Sequence, residues 1–370
     1  MNAQKNKTIL VVILVILVLA LLLNFALTDQ IMSEDKETIK VGAMLFLSGE
    51  GAAWGQSSQR AIDLAVEEVN GAGGINGRMI EIIYEDTGGD TAKAVSSYKK
   101  LVNLDNVLAI IGPNLQTETI AISPLANEDD LPVIAPAYAP LSNRPNPKNP
   151  LMIWLDPTLE AEQMAEYVYS KNVRSVSVLG TKDSWEELVS TAFARKFEDL
   201  GGEIYSIELA QPSQDEVRTI VTKAISRNPD AVYLGTGFQF LNFGRILKEL
   251  GYEGKIYSIE IDGYFASESK DWSSGVEFIS SDSYKEEFRE KYEAAYGEKS
   301  NIPSGQSYDA ANILISFLKK STERSEIVDM MQEFESYNGV SGQITITPDG
   351  STIAPTAIYV INDGEISKIE

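Results

Sequence analysis

The sequence predicts an α/β protein of two similar lobes, each built on a parallel sheet with helices on both faces. Two observations predict it. From Ile39 onward, apolar strand-like runs alternate with stretches of helical period, the pattern of βαβ units. That alternation runs twice, with the Pro-rich residues 143–150 (NRPNPKNP) between the passes. A third observation fits the size: 370 residues, 44% of them hydrophobic and 23% charged, suit two globular domains with ample cores once an N-terminal apolar segment is set aside.

That segment is residues 9–27, apolar except for Asn24. At about 1.5 Å per residue it spans roughly 28 Å, close to the hydrocarbon thickness of a bilayer. Lys5 and Lys7 precede it, and Asp29, Glu34 and Asp35 come after it. The excess of positive charge before it places the N-terminus in the cytoplasm and the rest outside. The run is longer than the apolar region of a cleaved signal, and Ala26 makes a poor cleavage site. Residues 1–38 therefore read as a cytoplasmic stub, a membrane anchor (a signal segment if cleaved) and a polar tether.

The first unit organises the rest of the chain. Residues 41–47 form a buried strand, 48–55 a Gly-rich loop, and the next stretch a helix with Ile62, Ala65, Val66 and Val69 spaced three and four apart. Ser57 or Ser58 stands where an N-cap is wanted. Such a junction lies at the carboxyl edge of an α/β sheet, where ligands bind. Trp54, held between glycines, either offers a stacking surface there or folds back on its own lobe.

Strands at 79–85, 107–111 and 133–135 continue the first pass, with helices at 91–104 and 117–128 between them. Ala94, Val95, Tyr98, Leu101 and Val102 face inward on the former, and Pro124 is expected to kink the latter. The glycine cluster at 71–77 comes after a helix, fits neither Gly-rich phosphate motif and reads as a turn. The second pass has helices at 159–170, 186–200, 216–227 and 240–250 and strands at 175–179, 203–209, 231–234 and 255–259. Leu188, Val189, Ala192, Phe193 and Phe197 face inward, and Gly201-Gly202 stops their helix. Helices at 284–296, 307–320 and 324–335, a strand at 343–346 and a hairpin through Asp363-Gly364 end the chain. These last elements read as returns to both lobes. The expected division is 39–155 with 281–347, and 156–280 with 348–370. Several crossings make a multi-strand hinge, which permits closure around a ligand.

Composition excludes much chemistry. The chain has no Cys and no His, which removes disulfides, Cys/His zinc sites, thiol nucleophiles and Ser-His-Asp catalysis together. It shows no G-x-S-x-G elbow, Walker loop or metal-ligand cluster, so no enzymatic activity, cofactor or metal is expected. The net charge is −23, and the basic residues form only short pairs such as Lys99-Lys100 and Lys319-Lys320. Nucleic acid is not expected as a partner. Most carboxylates, Glu128-Asp129-Asp130 among them, read as a solvated, self-repelling surface of a monomer.

Four stretches in this order carry a resemblance: IKVGAMLFLSGEGAAWGQ, NGAGGINGRMIEIIYEDTGGD, IIGPNLQTETIAISPLANEDDLPVIAPAYA and YSIEIDG. From about Ile39 to its C-terminus the chain resembles the extracytoplasmic solute-binding proteins of ABC transporters, in the branched-chain amino-acid (Leu/Ile/Val)-binding family. The resemblance implies a type I periplasmic-binding-protein fold with two Rossmann-like lobes, a small amphoteric solute such as an amino acid as ligand, and an ABC permease as partner.

It also implies a site. The ligand carboxylate would sit at residues 114–119, where free N–H groups at a helix start suit an anion. Gln116 stands there in place of the family's usual Ser, with Thr117 next to it. Glu118 would repel a carboxylate if it pointed inward, or would simply cap the helix. The family's second hydroxyl position falls on Ala139, Ala137 matches a small residue, and Tyr138 adds bulk. On the other lobe Glu260 matches the acid that pairs with the ligand ammonium, with Asp262 behind it. A carboxylate at the end of a buried strand is costly without a positive partner; a hinge or loop salt bridge is the other reading. Trp54 and Trp185 match aromatics that enclose the ligand from opposite lobes, though Trp185 could pack on its own helix. Phe238 is a further candidate, equally readable as helix core. The departures from the family pattern point toward larger or aromatic amino acids, amides or small peptides. A second function fits the same features: a membrane-tethered sensing module that acts through a partner protein.

Overall fold

Short, buried central strands, flanked by half-exposed outer ones, build two sheets with the same winding. The computed structural model describes residues 38–369 apart from 50, 141–145, 147, 212–213, 238 and 282–283. The apolar segment 9–27 and Phe238 therefore lie outside the described residues. Among the described residues no helix is long and apolar enough to cross a membrane.

The first sheet holds β1 (Ile39–Leu45), β2 (Ile80–Asp86), β3 (Ala109–Ile111), β4 (Val133–Ala135) and β5 (Leu151–Met152). They are parallel, in the order β2-β1-β3-β4-β5. Helices α1 (Ala52–Gly71), α2 (Thr91–Asn103) and α3 (Gln116–Glu128) connect them. The second sheet begins with β6 (Ser175–Thr181), β7 (Glu203–Ala210), β8 (Ala231–Leu234), β9 (Lys255–Ile259) and β10 (Glu277–Ser281). These run parallel in the order β7-β6-β8-β9-β10, the same winding as the first sheet. Helix α4 (Pro157–Ser170) leads into β6, and between the strands lie α5 (Ser184–Asp199), α6 (Gln214–Ile225), α7 (Phe240–Glu249) and the short α8 (Gly263–Glu268). The hairpin β14 (Thr356–Asn362) and β15 (Glu365–Lys368) closes the β10 edge antiparallel. Its turn puts Asp363 at φ 51° and Gly364 at φ 80°, the positive pair that a two-residue hairpin of matching twist requires.

Between β10 and β14 the chain returns to the first sheet. Here lie α9 (Glu286–Tyr296), α10 (Ser304–Leu318), α11 (Arg324–Gln332) and a small antiparallel sheet of β11 (Ser336–Gly339), β12 (Gly342–Ile346) and β13 (Thr352–Ile353). Phe288, Tyr292, Ile313, Leu314, Ile327 and Ile344 pack in one core with Val41, Ala43, Ile62 and Ala65. A separate core lies on each face of the second sheet. The chain thus passes between the sheets after β5, after β10 and between β13 and β14. Two of these passages are tied together: the Asp156 N–H donates to the Thr352 carbonyl at 3.1 Å, and the Thr352 hydroxyl to the Met152 carbonyl at 2.8 Å.

The start of α1 differs from the sequence expectation. Residues 52–55 belong to the helix, which begins at Ala52 behind Gly51, and Ser57 and Ser58 are buried inside it rather than capping it. The reason is Phe46. A Cβ on Gly51 would lie 2.1 Å from its ring, and a Cβ on Gly55 2.0 Å from its carbonyl oxygen. The two glycines let the first helical turn lie directly on the end of β1, which puts Trp54 on that turn, half-buried, instead of in a loop. Helix α3 runs from Gln116 through Pro124 to Glu128. The glycine cluster is the turn expected, with Ile75 bridged to Arg78 and Gly74 at φ 71° against the Arg78 carbonyl. Strands β5, β10, β11 and β13 and helix α8 were not expected, being two to six residues long and carrying no readable period.

Gly55→Ala is expected to lower stability by at least about 2 kcal/mol, because its methyl group must displace backbone. Gly71→Ala, which meets nothing within 4 Å, should leave it within about 0.5 kcal/mol. Thermal unfolding of the two variants beside the parent checks both.

Candidate functional site

In a doubly wound sheet, ligands bind beyond the carboxyl ends of the strands at the point where the winding reverses. Here that point lies between β1 and β3 in the first sheet and between β6 and β8 in the second. The two edges enclose a cleft of about 290 Å³. From the first sheet it receives Trp54 after β1, Asn114 to Thr117 after β3, Pro136 to Tyr138 after β4, and Trp154 after β5. From the second it receives Thr181, Asp183, Trp185 and Glu186 after β6, Gly237 and Gln239 after β8, and Glu260 after β9, with Phe265 of α8.

Of the residues named from the sequence, Trp54, Gln116, Thr117, Ala137, Tyr138, Trp185 and Glu260 line this cleft. Two do not. Ala139 is fully buried against Ala135, Ala137 and Met152. Asp262 turns its carboxylate back to accept the Phe265 N–H at 2.8 Å as the N-cap of α8. That bond satisfies one of the otherwise unpaired N–H groups at the helix start. Glu118, which could have opposed a bound carboxylate, is fully buried away from the cleft. Burial and the charges of Asp86 and Asp90 push it up to about 7, against the Thr87 hydroxyl that favours its ionised form.

Sequence reasoning missed Thr181, Asp183, Glu186, Gln239 and Phe265 of the lining, and above all Trp154 and Glu160. Trp154 lies on the first passage between the sheets. It stacks on Trp54 with ring centroids 5.5 Å apart and planes at 27°, and its Nε1–H donates to Glu260 Oε1 at 2.6 Å. A residue just past the first sheet thus holds the acid of the second. Glu260 has φ 50°, a left-handed conformation that costs a non-glycine residue of order 1 kcal/mol and turns its side chain out of the strand's alternation. Its backbone is fixed there by the N–H donated to the Ile279 carbonyl at 2.8 Å. Glu160, in the first turn of α4, has no exposed surface, and its carboxyl stands beside that of Glu260. Burial and the Glu260 charge hold Glu160 well above the usual carboxylate range. Burial pushes Glu260 up to about 7, opposed by the Trp154 N–H. Two carboxyls this close share a proton, because both cannot ionise without a positive neighbour. Only the spacing of Trp154 from Glu160 on one helix entry could have hinted at the pair.

The other acids are already engaged. Glu186 accepts the Thr236 hydroxyl at 2.5 Å and the Thr181 N–H at 2.8 Å. Asp183 caps α5 by accepting the Trp185 N–H at 2.9 Å. Opposite them, α3 begins at Leu115 with no side-chain cap, which leaves its first-turn N–H groups for an anion. Gln116 reaches across the mouth, its Nε2–H donating to Ser184 Oγ at 3.4 Å. Among the described residues no group of three or more acids is placed to hold a metal ion. The arrangement offers aromatic walls, a helix start for negative charge and a buried acid for positive charge.

The raised carboxyls fix a pH dependence. A folded carboxyl raised above its unfolded value takes up protons on folding, so its stability is full below the unfolded value and falls as pH rises through the folded one. The ligand-free protein should therefore melt higher at pH 5.5 than at pH 8. Glu160→Gln should raise the midpoint at pH 8 by several degrees, about 1–2 kcal/mol or more, and by clearly less at pH 5.5. Thermal melts of both proteins at the two pH values measure this.

Known proteins share this architecture. The chain is 22% identical over 363 residues to Leu/Ile/Val-binding protein homolog 3 of Brucella melitensis, covering 94% of this chain and 97% of that one. The leucine binding protein LivK of Thermotoga maritima superposes with a TM-score of 0.80 at 23% identity, over 90% of this chain and 98% of the other. A solute binding protein of an ABC transporter from Rhodopseudomonas palustris, in complex with 3,4-dihydroxybenzoic acid, gives 0.79 at 20% identity over 90% and 96%. These likenesses bear out the type I periplasmic-binding-protein fold implied by the four sequence stretches. The model of the family described as periplasmic binding protein matches residues 38–365, nearly all of the described chain, and the chain belongs to that family.

Proposed function

We propose that this protein is the extracytoplasmic solute receptor of an ABC transporter, capturing a small amphoteric solute such as an amino acid and presenting it to a membrane permease. The observation that carries this reading is the cleft itself. Its walls come from the facing carboxyl edges of two sheets joined by several chain passages, so a ligand that touches both walls favours the closed arrangement. Three of the four tryptophans and Glu260 line it, the small number of placed polar groups in an aromatic setting that small-molecule sites use. Two of the relatives carry amino-acid names, Leu/Ile/Val and leucine, and a third holds a small aromatic acid. The apolar run at 9–27, with lysines before it and acids after it, supports a body tethered outside the membrane by an uncleaved anchor. The lobes proposed are 39–155 with 281–347 and 156–280 with 348–370.

Mass spectrometry of solute carried through purification identifies the ligand. Adding that solute to stripped protein should change tryptophan fluorescence and compact the protein in solution scattering. Trp272, packed on Phe240 at 4.8 Å, supplies a constant background signal. Glu260→Gln should weaken binding about 100-fold, roughly 2.7 kcal/mol, without changing the fold. A broad metabolite screen that produced neither response would overturn solute capture.

A further inference from the structure

The lining of the cleft has one sign of charge. Its ionisable side chains include Asp183, Glu186 and Glu260, and among the described residues that line it none is Lys or Arg. A solute whose only charge is a carboxylate would meet these acids with no cation to offset them. A positive charge on the ligand is what the buried Glu160–Glu260 pair lacks.

The form of that positive charge is set by the acceptors. A primary ammonium brings three N–H donors, and each must find an acceptor once water is excluded. The carboxylates are partly engaged already. Both oxygens of Glu186 accept from Thr236 and Thr181, Asp183 Oδ1 accepts from the start of α5, and Glu260 Oε1 accepts from Trp154. A quaternary ammonium asks for none of these bonds, and a tertiary one for a single bond. Both need ring faces and a nearby negative charge, and cation–π contact is strongest with tryptophan. Trp54, Trp154 and Trp185 supply such rings, the first two as a stacked pair next to Glu260.

The geometry points to an N-alkylated zwitterion as the ligand: its tertiary or quaternary ammonium against the Trp54, Trp154 and Trp185 rings beside Glu260, and its carboxylate at the uncapped start of α3. This rests on the solute-capture reading above and specifies its ligand class. A site of this kind holds the cation by field and dispersion rather than by N–H geometry, so selectivity comes from the alkyl groups.

Matched pairs test it: glycine against trimethylglycine, and proline against N,N-dimethylproline, with leucine and benzoate as outside probes. Calorimetric titration into stripped full-length protein at pH 8 reads the affinities, and fluorescence with solution scattering reads closure. In at least one pair the methylated member should bind tenfold or more tightly than its parent. Trp185→Leu should lose at least tenfold for that probe, while Trp185→Phe retains most of the affinity. Equal or tighter binding of the unmethylated members, or preference for leucine or benzoate, overturns the ligand class while leaving solute capture standing, since the protein would still close on those probes. No binding of any probe also overturns the class, and the copurified solute then decides solute capture separately.

Discussion

The structure depends on one topological constraint: two parallel sheets wound in the same order present their carboxyl edges to each other. The side chains of the cleft lie at or beyond strand ends, apart from Phe265 on the short α8, because that is where a βα turn leaves the sheet and where free N–H groups of the next helix collect. The central strands are largely buried and aliphatic, and they position chemistry that their ends and the following turns supply. Since the walls of the cleft belong to different cores, its width is set by the passages between the sheets rather than by packing within either core.

Trp154 is where that constraint and the chemistry meet. It comes just after β5 on one of those passages, stacks on Trp54 and holds Glu260. A change in the angle between the sheets must move this indole relative to one of its two partners. The passage is braced by the bonds linking Met152, Asp156 and Thr352.

Electrostatics give the site its direction. Burying Glu160 and Glu260 side by side disfavours their ionised forms, and the left-handed backbone at Glu260 adds strain. Structures hold such features where the surrounding packing over-determines them, and they recur at functional sites. A cation in the cleft would relieve the like-charge repulsion at Glu260. Such a cation would make the occupied site the more stable one at neutral pH, for a reason located in two residues.

The sequence by itself determined the α/β class, the two passes, the turn at Asp363-Gly364 and the strand-to-helix junctions, since each rests on period, turn chemistry or glycine placement within a few consecutive residues. Trp54 stood out as an aromatic held between glycines after a strand, and Trp185 and Glu260 through the resemblance to the family. What lay beyond it were relations between distant segments: Trp154 with Glu260, 106 positions apart, Glu160 with Glu260, and the capping that withdraws Asp262. The early start of α1 was hidden for the same reason, since Phe46 makes room for it only once the chain has folded back. Local pattern encodes what a segment can become, and only tertiary packing decides which buried groups meet, because desolvation and hydrogen-bond competition act through space and not along the chain.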